Sequence, residues 1–149
     1  MQFRVLNPTS SVITNCDVFT RWCIVIHGCI DGYSHRIMYS RASDNNAADT
    51  LLTLFVDAVQ QFGLPSHVRG DRGGENTGVA DYMISHPQRD PGHSSFIAVR
   101  SVHNQRIERI WQDVNSSCTH LFYDLFYYLE ERFLLDPENE ISPGAILCT

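Results

Sequence analysis

Asp71 lies where a short β-branched run gives way to a glycine-rich turn. The segment reads Val68-Arg-Gly-Asp-Arg-Gly-Gly-Glu-Asn76, so we expect the Asp71 carboxylate at the tip of a strand over 66–70. Mg²⁺ and Mn²⁺ prefer such carboxylate oxygens as ligands. The glycines at 70, 73 and 74 predict a turn with positive φ that leaves room above the carboxylate for a bulky phosphodiester.

Glu108 is the second candidate, about one turn inside an amphipathic run that follows a polar entry at 101–106. Each acid also has an ordinary structural interpretation. Asp71 could cap the helix that follows it, and Glu108 could form an ion pair with Arg72 or Arg106. Taken singly, each acid is better explained by such a structural role. Taken together, the types and spacing of the two acids favour a metal-binding site.

The joint pattern resembles the retroviral-type integrase catalytic core, a domain with the ribonuclease-H-like fold. The family motif D-x-G-x-x-F/N is matched by Asp71, Gly73 and Asn76, and the third acid of the family opens a helix downstream, as Glu108 does. The Asn-Gln pair before Arg106 and the Ile-Asp-Gly-Tyr-Ser run at 30–34 also agree. Over about 21–141 the chain is most similar to integrase-core proteins of animal genomes that look domesticated from mobile elements.

The resemblance implies an α/β fold in which helices flank a mixed five-stranded sheet, with ends that could be truncated relative to the family. It implies polynucleotidyl transfer in DNA integration, using two Mg²⁺ or Mn²⁺ ions about 3.5–4 Å apart that activate the nucleophile and stabilise the leaving oxygen. Asp71 and Glu108 would then be catalytic metal ligands. The residues expected to contact nucleic acid are Arg72, Asn104, Arg106 and Arg109.

The first acid of the family departs from this pattern. The resemblance places it eight residues before Trp22, where this chain has Thr14. Asp17 is the nearest carboxylate and the alternative third catalytic metal ligand, but an odd shift along a strand turns a side chain to the opposite face unless a bulge restores it. Asp31 is expected in a hairpin turn. We therefore expect an integrase-core-like domain whose metal chemistry is impaired.

Two other functions stay open: a non-catalytic protein-interaction module that retains the fold, and a nuclease that uses the same metal pair. The aromatic run at 122–128 exceeds one buried stripe and predicts a homodimer surface, although it could instead pack against the terminal part of the family fold. Trp111 is expected in the core rather than as a base-stacking platform.

Composition limits the partners and the location of the protein. The 149 residues fit one domain, in which 1–20 is poorly readable, 21–141 is integrase-core-like and 142–149 is a tail. There is no apolar run near the roughly 20 residues of a membrane span and no secretory signal pattern, so we expect no membrane insertion and no secretion. Five cysteines without a C-x-x-C pair indicate reduced thiols in a nuclear or cytoplasmic protein.

Charge predicts weak binding to DNA at physiological salt. The net charge is −6 and there is no lysine, but six of the eleven arginines lie within 66–112, around the two candidate acids. A few arginines can neutralise only a few phosphates, so the affinity should fall steeply as salt rises.

Hydrophobic periodicity predicts the elements that must position the site. Strands are expected over 11–19, 22–27, 35–39, 66–70 and 96–99, with the second and third forming a hairpin of central strands. Helices are expected over 48–62, over 75–84, and over 103–135 with a break at 115–117. A mobile loop is expected over 85–93.

Overall fold

A computed structural model of the chain describes residues 10–88, 95–98 and 105–136. Its strands are β1 (Ser10–Phe19), β2 (Ile24–Asp31), β3 (Ile37–Ser43), β4 (His67–Gly70) and β5 (Phe96–Ala98). Its helices are α1 (Ala48–Phe62), α2 (Thr77–Ser85), α3 (Gln105–Val114) and α4 (His120–Glu131). Most of the loop predicted over 85–93 lies outside these described residues.

The five strands form one mixed sheet in the order β3-β2-β1-β4-β5. β2 pairs antiparallel with both β1 and β3, whereas β4 pairs parallel with both β1 and β5. Helices flank this sheet, so the predicted ribonuclease-H-like fold class is confirmed. The prediction of a central hairpin is wrong for β3, which is the edge strand and is largely exposed to solvent.

One face of the sheet is covered by α1 and α2. The core cluster on this face consists of Ile13, Cys29, Leu51, Phe55, Val68, Val79 and Met83. The side chain of Asn45 accepts hydrogen bonds from the Ala47 backbone and the Thr50 hydroxyl at the start of α1. At its other end Gly63, with φ of 94°, turns the chain away. The predicted bounds of α1 are therefore confirmed.

The other face of the sheet packs against α3 and α4. A second core cluster here contains Phe19, Trp22, Ile24, Phe126 and Leu135. Trp22 lies in a short 3₁₀ turn rather than in β2, so the strand predicted from 22 begins at Ile24. The reason is tertiary, because the indole packs against Phe126 with ring centroids 5.2 Å apart.

The predicted break in the last helix is confirmed. Asn115–Thr119 form a π-helical turn between α3 and α4, and the Thr119 hydroxyl donates to the Val114 carbonyl within it. Such turns loosen the α-helical ladder, which suits a segment of poor helix formers. Among the helices that the structure describes, none is long and apolar enough to span a bilayer.

Candidate metal centre

Asp71 directly follows β4, and its carboxylate is held by the loop that comes after it. Asp71 Oδ1 accepts hydrogen bonds from Asn76 Nδ2 at 2.5 Å and from the Gly73 backbone N–H at 3.3 Å. Asn76 Nδ2 also donates to the Asp71 carbonyl at 3.3 Å, and the Asn76 side chain is only 3% exposed. Oδ1 is therefore the constrained oxygen of a half-buried carboxylate.

The glycines around Asp71 serve close packing rather than a left-handed turn. Gly63 is the one glycine with positive φ in the described part of the chain, so that prediction is wrong for 70, 73 and 74. A Cβ on Gly70 would lie 3.1 Å from both Ile13 Cγ1 and Phe96 Cζ, and the Glu75 carboxylate lies where a Cβ on Gly73 would be. A side chain at 70 would thus have to displace Ile13 and Phe96 slightly, and one at 73 would have to displace the Glu75 carboxylate.

The strand register shows which residue of β1 lies beside Asp71. Val12 pairs with Arg69 in the parallel β1–β4 ladder, and Ile13 packs against Gly70. The ladder ends at the pair of Val12 and Arg69; continued by two residues, the same register would bring position 14 alongside Asp71. The residue at that position is Thr14, which pairs on its other side with Gly28 of β2.

Asp17 lies farther along β1, in an irregular part of the strand. Cys16 pairs with Ile26 and Phe19 with Ile24, so β1 takes three steps where β2 takes two. This one-residue bulge follows Thr14, and Asp17 remains three residues, roughly 10 Å of strand, beyond that position. The Asp17 side chain is outside the described part of the structure.

Asp31 is confirmed as a hairpin-turn residue. Its carboxylate accepts from the Ser34 backbone N–H at 2.9 Å and from the Ser34 hydroxyl at 2.5 Å. Asp31 pairs with Ser11 near the start of β1, at the end of the sheet opposite to Asp71. It therefore does not belong to the candidate centre.

Glu108 lies in the first turn of α3, as predicted, but its side chain is outside those that the structure describes. α3 packs over the β1–β2 pair through Trp111, whose indole lies against Gly28. No group of three His, Cys, Asp or Glu side chains with metal-binding geometry occurs among the described residues, which do not include the Glu108 or Asp17 side chains.

The predicted nucleic-acid contacts are described only in part. Arg72 and Arg109 are exposed, and neither has an ion-pair partner among the side chains that the structure describes. The side chain of Arg106 and all of Asn104 lie outside the described residues. The two described arginines are thus available to an anionic partner.

Sequence reasoning matched Asn76 to a motif but did not assign it a role, and it did not identify Gly28. For Asn76, the available sequence signal was its position five residues after Asp71. The contact between Gly28 and α3 has no signal in the sequence near Gly28. A cavity of about 380 Å³ was also not anticipated; it lies by the β2–β3 hairpin, with Ser11, Cys29, Arg36, Phe55 and Phe62 in its lining, away from Asp71.

Comparisons with known proteins agree with this fold. The sequence profile described as "Integrase core domain" matches residues 3–148. The trimeric form of the HTLV-2 integrase catalytic core domain in complex with magnesium is similar in structure, with a TM-score of 0.56, 15% identity, and coverage of 91% of this chain and 80% of that one. Its dimeric form is similar with a TM-score of 0.57 and 14% identity, over 80% of this chain and 76% of that one. Among the curated proteins, none matches the sequence.

Proposed function

The chain belongs to the integrase core domain family, and from this premise we propose that it is a nucleic-acid-binding domain descended from a DNA integrase. Its ancestral reaction is polynucleotidyl transfer at a two-metal centre. In this chain the reaction is impaired, because the first metal-binding carboxylate of that centre is replaced by Thr14. The proposal extends to an origin as a domesticated mobile element and to a nuclear or cytoplasmic location.

The observation that carries the proposal is the register of β1 against β4. Continued beyond its last pair, this register would bring position 14 beside Asp71, where a carboxylate could help to hold a cation, and a threonine supplies no negative charge. Two divalent ions about 4 Å apart repel one another strongly, so the centre depends on carboxylates to hold both. Asp17 does not compensate, since it lies three residues farther along the strand.

The residues around Asp71 fit one divalent cation. Oδ1 is occupied by the Asn76 and Gly73 donors, which leaves Oδ2 for a metal. Asn76 Oδ1 is buried without a donor among the described residues, so the loop beside Asp71 holds an unused acceptor. Asp71 and Glu108 would hold the Mg²⁺ or Mn²⁺, which when bound would stabilise charge on a phosphodiester oxygen.

The test of this proposal restores the missing carboxylate. Thr14→Asp should increase Mn²⁺ affinity, measured by isothermal titration calorimetry, because it returns a negative charge beside Asp71. The wild-type protein should show no Mn²⁺-dependent strand transfer or nicking of a DNA duplex. Circular dichroism of each variant checks that β1 is retained.

Asp17→Asn is the matched control, and it should leave Mn²⁺ affinity unchanged. Adding Asp71→Asn to Thr14→Asp should remove the gain. The proposal fails if the wild type nicks DNA and if Asp17→Asn and Asp71→Asn each abolish nicking. That result would identify a working nuclease or transferase that uses Asp17.

We also propose that two copies of the chain associate through the exposed side of α4. Leu121, Leu125 and Tyr128 form one stripe on this helix and are 68%, 46% and 51% exposed. A contiguous apolar stripe of this kind favours association. The HTLV-2 core is described in dimeric and trimeric forms, which supports self-association as a property of this fold.

A second candidate function is a non-catalytic interaction module. The threonine at position 14 favours it, because a fold that has lost its metal chemistry can still present a binding surface. It predicts that Thr14→Asp restores neither metal binding nor chemistry, while the α4 stripe still binds a protein partner.

A further inference from the structure

Gly28, in the middle of β2, lies directly against Trp111 of α3. A Cβ on Gly28 would lie 2.8 Å from Trp111 Cζ2 and 2.9 Å from Cη2. Carbon atoms in contact are normally about 3.5–4.0 Å apart. Any side chain at position 28 would therefore push the indole, and the helix that carries it, away from the sheet.

Trp111 anchors α3 on this face among the side chains of the helix that the structure describes. Among the α3 side chains that the structure describes, Arg109, Gln112 and Asp113 are exposed, whereas Trp111 and Val114 are partly buried. Trp111 Nε1 is buried. A gap of about 20 Å³ remains between Trp111, Val114 and the strands, which leaves little room beside the indole on the sheet side.

This contact lies next to the candidate metal centre. Gly28 pairs with Thr14, the position beside Asp71. Trp111 follows Glu108 by three residues, which is about one turn and roughly 4.5 Å along the helix axis. A change in the height of α3 above Gly28 would therefore also move the helix backbone at Glu108 relative to the sheet.

We propose that Gly28 and Trp111 are positioning residues for Glu108: the absence of a side chain at 28 lets the indole hold α3 near the sheet, so that Glu108 can reach Asp71. The inference rests on the proposed function, in which these two acids share a metal. Under this inference the site depends on Gly28, although a glycine has no functional group that could contact the metal.

The experiment measures the approach of the two positions without metal. In a protein carrying Asp71→Cys and Glu108→Cys, mild oxidation should cross-link positions 71 and 108, quantified by mass spectrometry of the linked peptides. Gly28→Ala should lower the yield several-fold. Adding Trp111→Phe should restore it, since that change removes Cζ2 and Cη2, the atoms that the new methyl group meets.

Gly74→Ala is the matched control, because a Cβ at Gly74 has nothing within 4 Å. It should leave the cross-link unchanged. A second readout is the ¹⁹F spectrum of 5-fluorotryptophan protein, in which the two tryptophans give separate resonances. Gly28→Ala should shift the Trp111 resonance and leave that of Trp22 in place.

Each outcome decides the inference. A cross-link that is unaffected by Gly28→Ala overturns it and leaves the proposed function standing. Failure to cross-link in the presence of native Gly28 overturns it together with the convergence of Asp71 and Glu108 that the proposed metal centre requires. If Gly28→Ala alone does not fold, the variant that also carries Trp111→Phe decides, and a folded protein without the cross-link contradicts the inference.

Discussion

Asn76 stabilises the candidate centre through a single amide nitrogen. That nitrogen donates to both the carboxylate and the backbone carbonyl of Asp71. Hydrogen bonds to a charged acceptor contribute about 1.5–3 kcal/mol, more than those between neutral groups. Because Asn76 is buried, its amide is held in place beside Asp71 by the surrounding residues.

We predict that Asn76→Ala lowers the free energy of unfolding by roughly 1–3 kcal/mol, since it leaves the Asp71 carboxylate without its buried donor. Urea denaturation followed by circular dichroism measures this. Thr77→Ala is the control, because Thr77 is exposed and bonds only the nearby Gly74 carbonyl. Equal losses in the two variants would show that the contact with Asp71 has no special weight.

The buried thiol of Cys29 should make the stability of the protein fall at alkaline pH. Burial raises the pKa of its thiol to about 12, from an ordinary value of 9.0. The unfolded chain therefore loses this proton first as pH rises. The stability contributed by the neutral thiol is complete below about pH 9 and is lost progressively towards pH 12.

The stability difference between wild type and Cys29→Ala should accordingly shrink between pH 8 and pH 10 in urea titrations. At pH 8, iodoacetamide should modify the exposed Cys23 and spare Cys29 in the native protein, as mass spectrometry can show. Equal labelling of the two thiols at pH 8 would mean that the core around β2 opens readily.

At the scale of elements, α4 has one side that packs in the core and another that is exposed to solvent. Phe126 is 1% exposed and packs on Phe19 and Trp22, with ring centroids 5.5 and 5.2 Å away. Tyr123 and Tyr127 also contact the Trp22 ring. Most of the aromatic run is therefore used in the fold, and the predicted dimer surface is reduced to Leu121, Leu125 and Tyr128.

Substitutions of Leu125 and Phe126, which are neighbours on α4, should affect different properties: the first the oligomeric state and the second the stability. Leu125→Glu should leave the melting temperature near that of wild type but convert a dimer into a monomer, as measured by light scattering. Phe126→Ala should lose about 3–5 kcal/mol of stability, because it opens a cavity in a packed aromatic cluster. A wild-type protein that is monomeric at high concentration would reject the proposed dimer.

At the scale of the whole molecule, charge is distributed unevenly along the chain. The seven acids from Asp113 onward are accompanied by Arg132 alone, whereas the arginines near Asp71 balance the acids there. Binding of DNA is thus expected near Asp71 and not along α4. With few cations to displace counterions, the affinity should be low at physiological salt.

We predict weak, nonspecific DNA binding whose log–log salt slope becomes shallower by about 1 in Arg72→Ala, since one phosphate contact is lost. Fluorescence anisotropy over a range of salt concentrations measures this slope. Arg36→Ala is the control, because Arg36 lies by the β2–β3 hairpin at the opposite end of the sheet. Tight binding that persists at high salt would contradict the prediction.

The sequence by itself determined the elements whose signals are local. The 3.6-residue period and Gly63 define α1, the turn residues after Asp31 mark the β2–β3 hairpin, and the poor helix formers at 115–117 mark the break before α4. The resemblance also placed the first acid of the family at position 14, which is Thr14 here. These features depend on residues that are close together in the chain, so their physical causes are visible in it.

Only the tertiary structure decided how these elements meet. Pairing of β1 with β4 aligns Val12 with Arg69, two residues before positions 14 and 71, and packing on α4 draws Trp22 out of β2. The contact of Gly28 with Trp111 joins residues far apart in sequence. Strand register and close packing are set by the shape and burial of distant partners, which no local periodicity encodes.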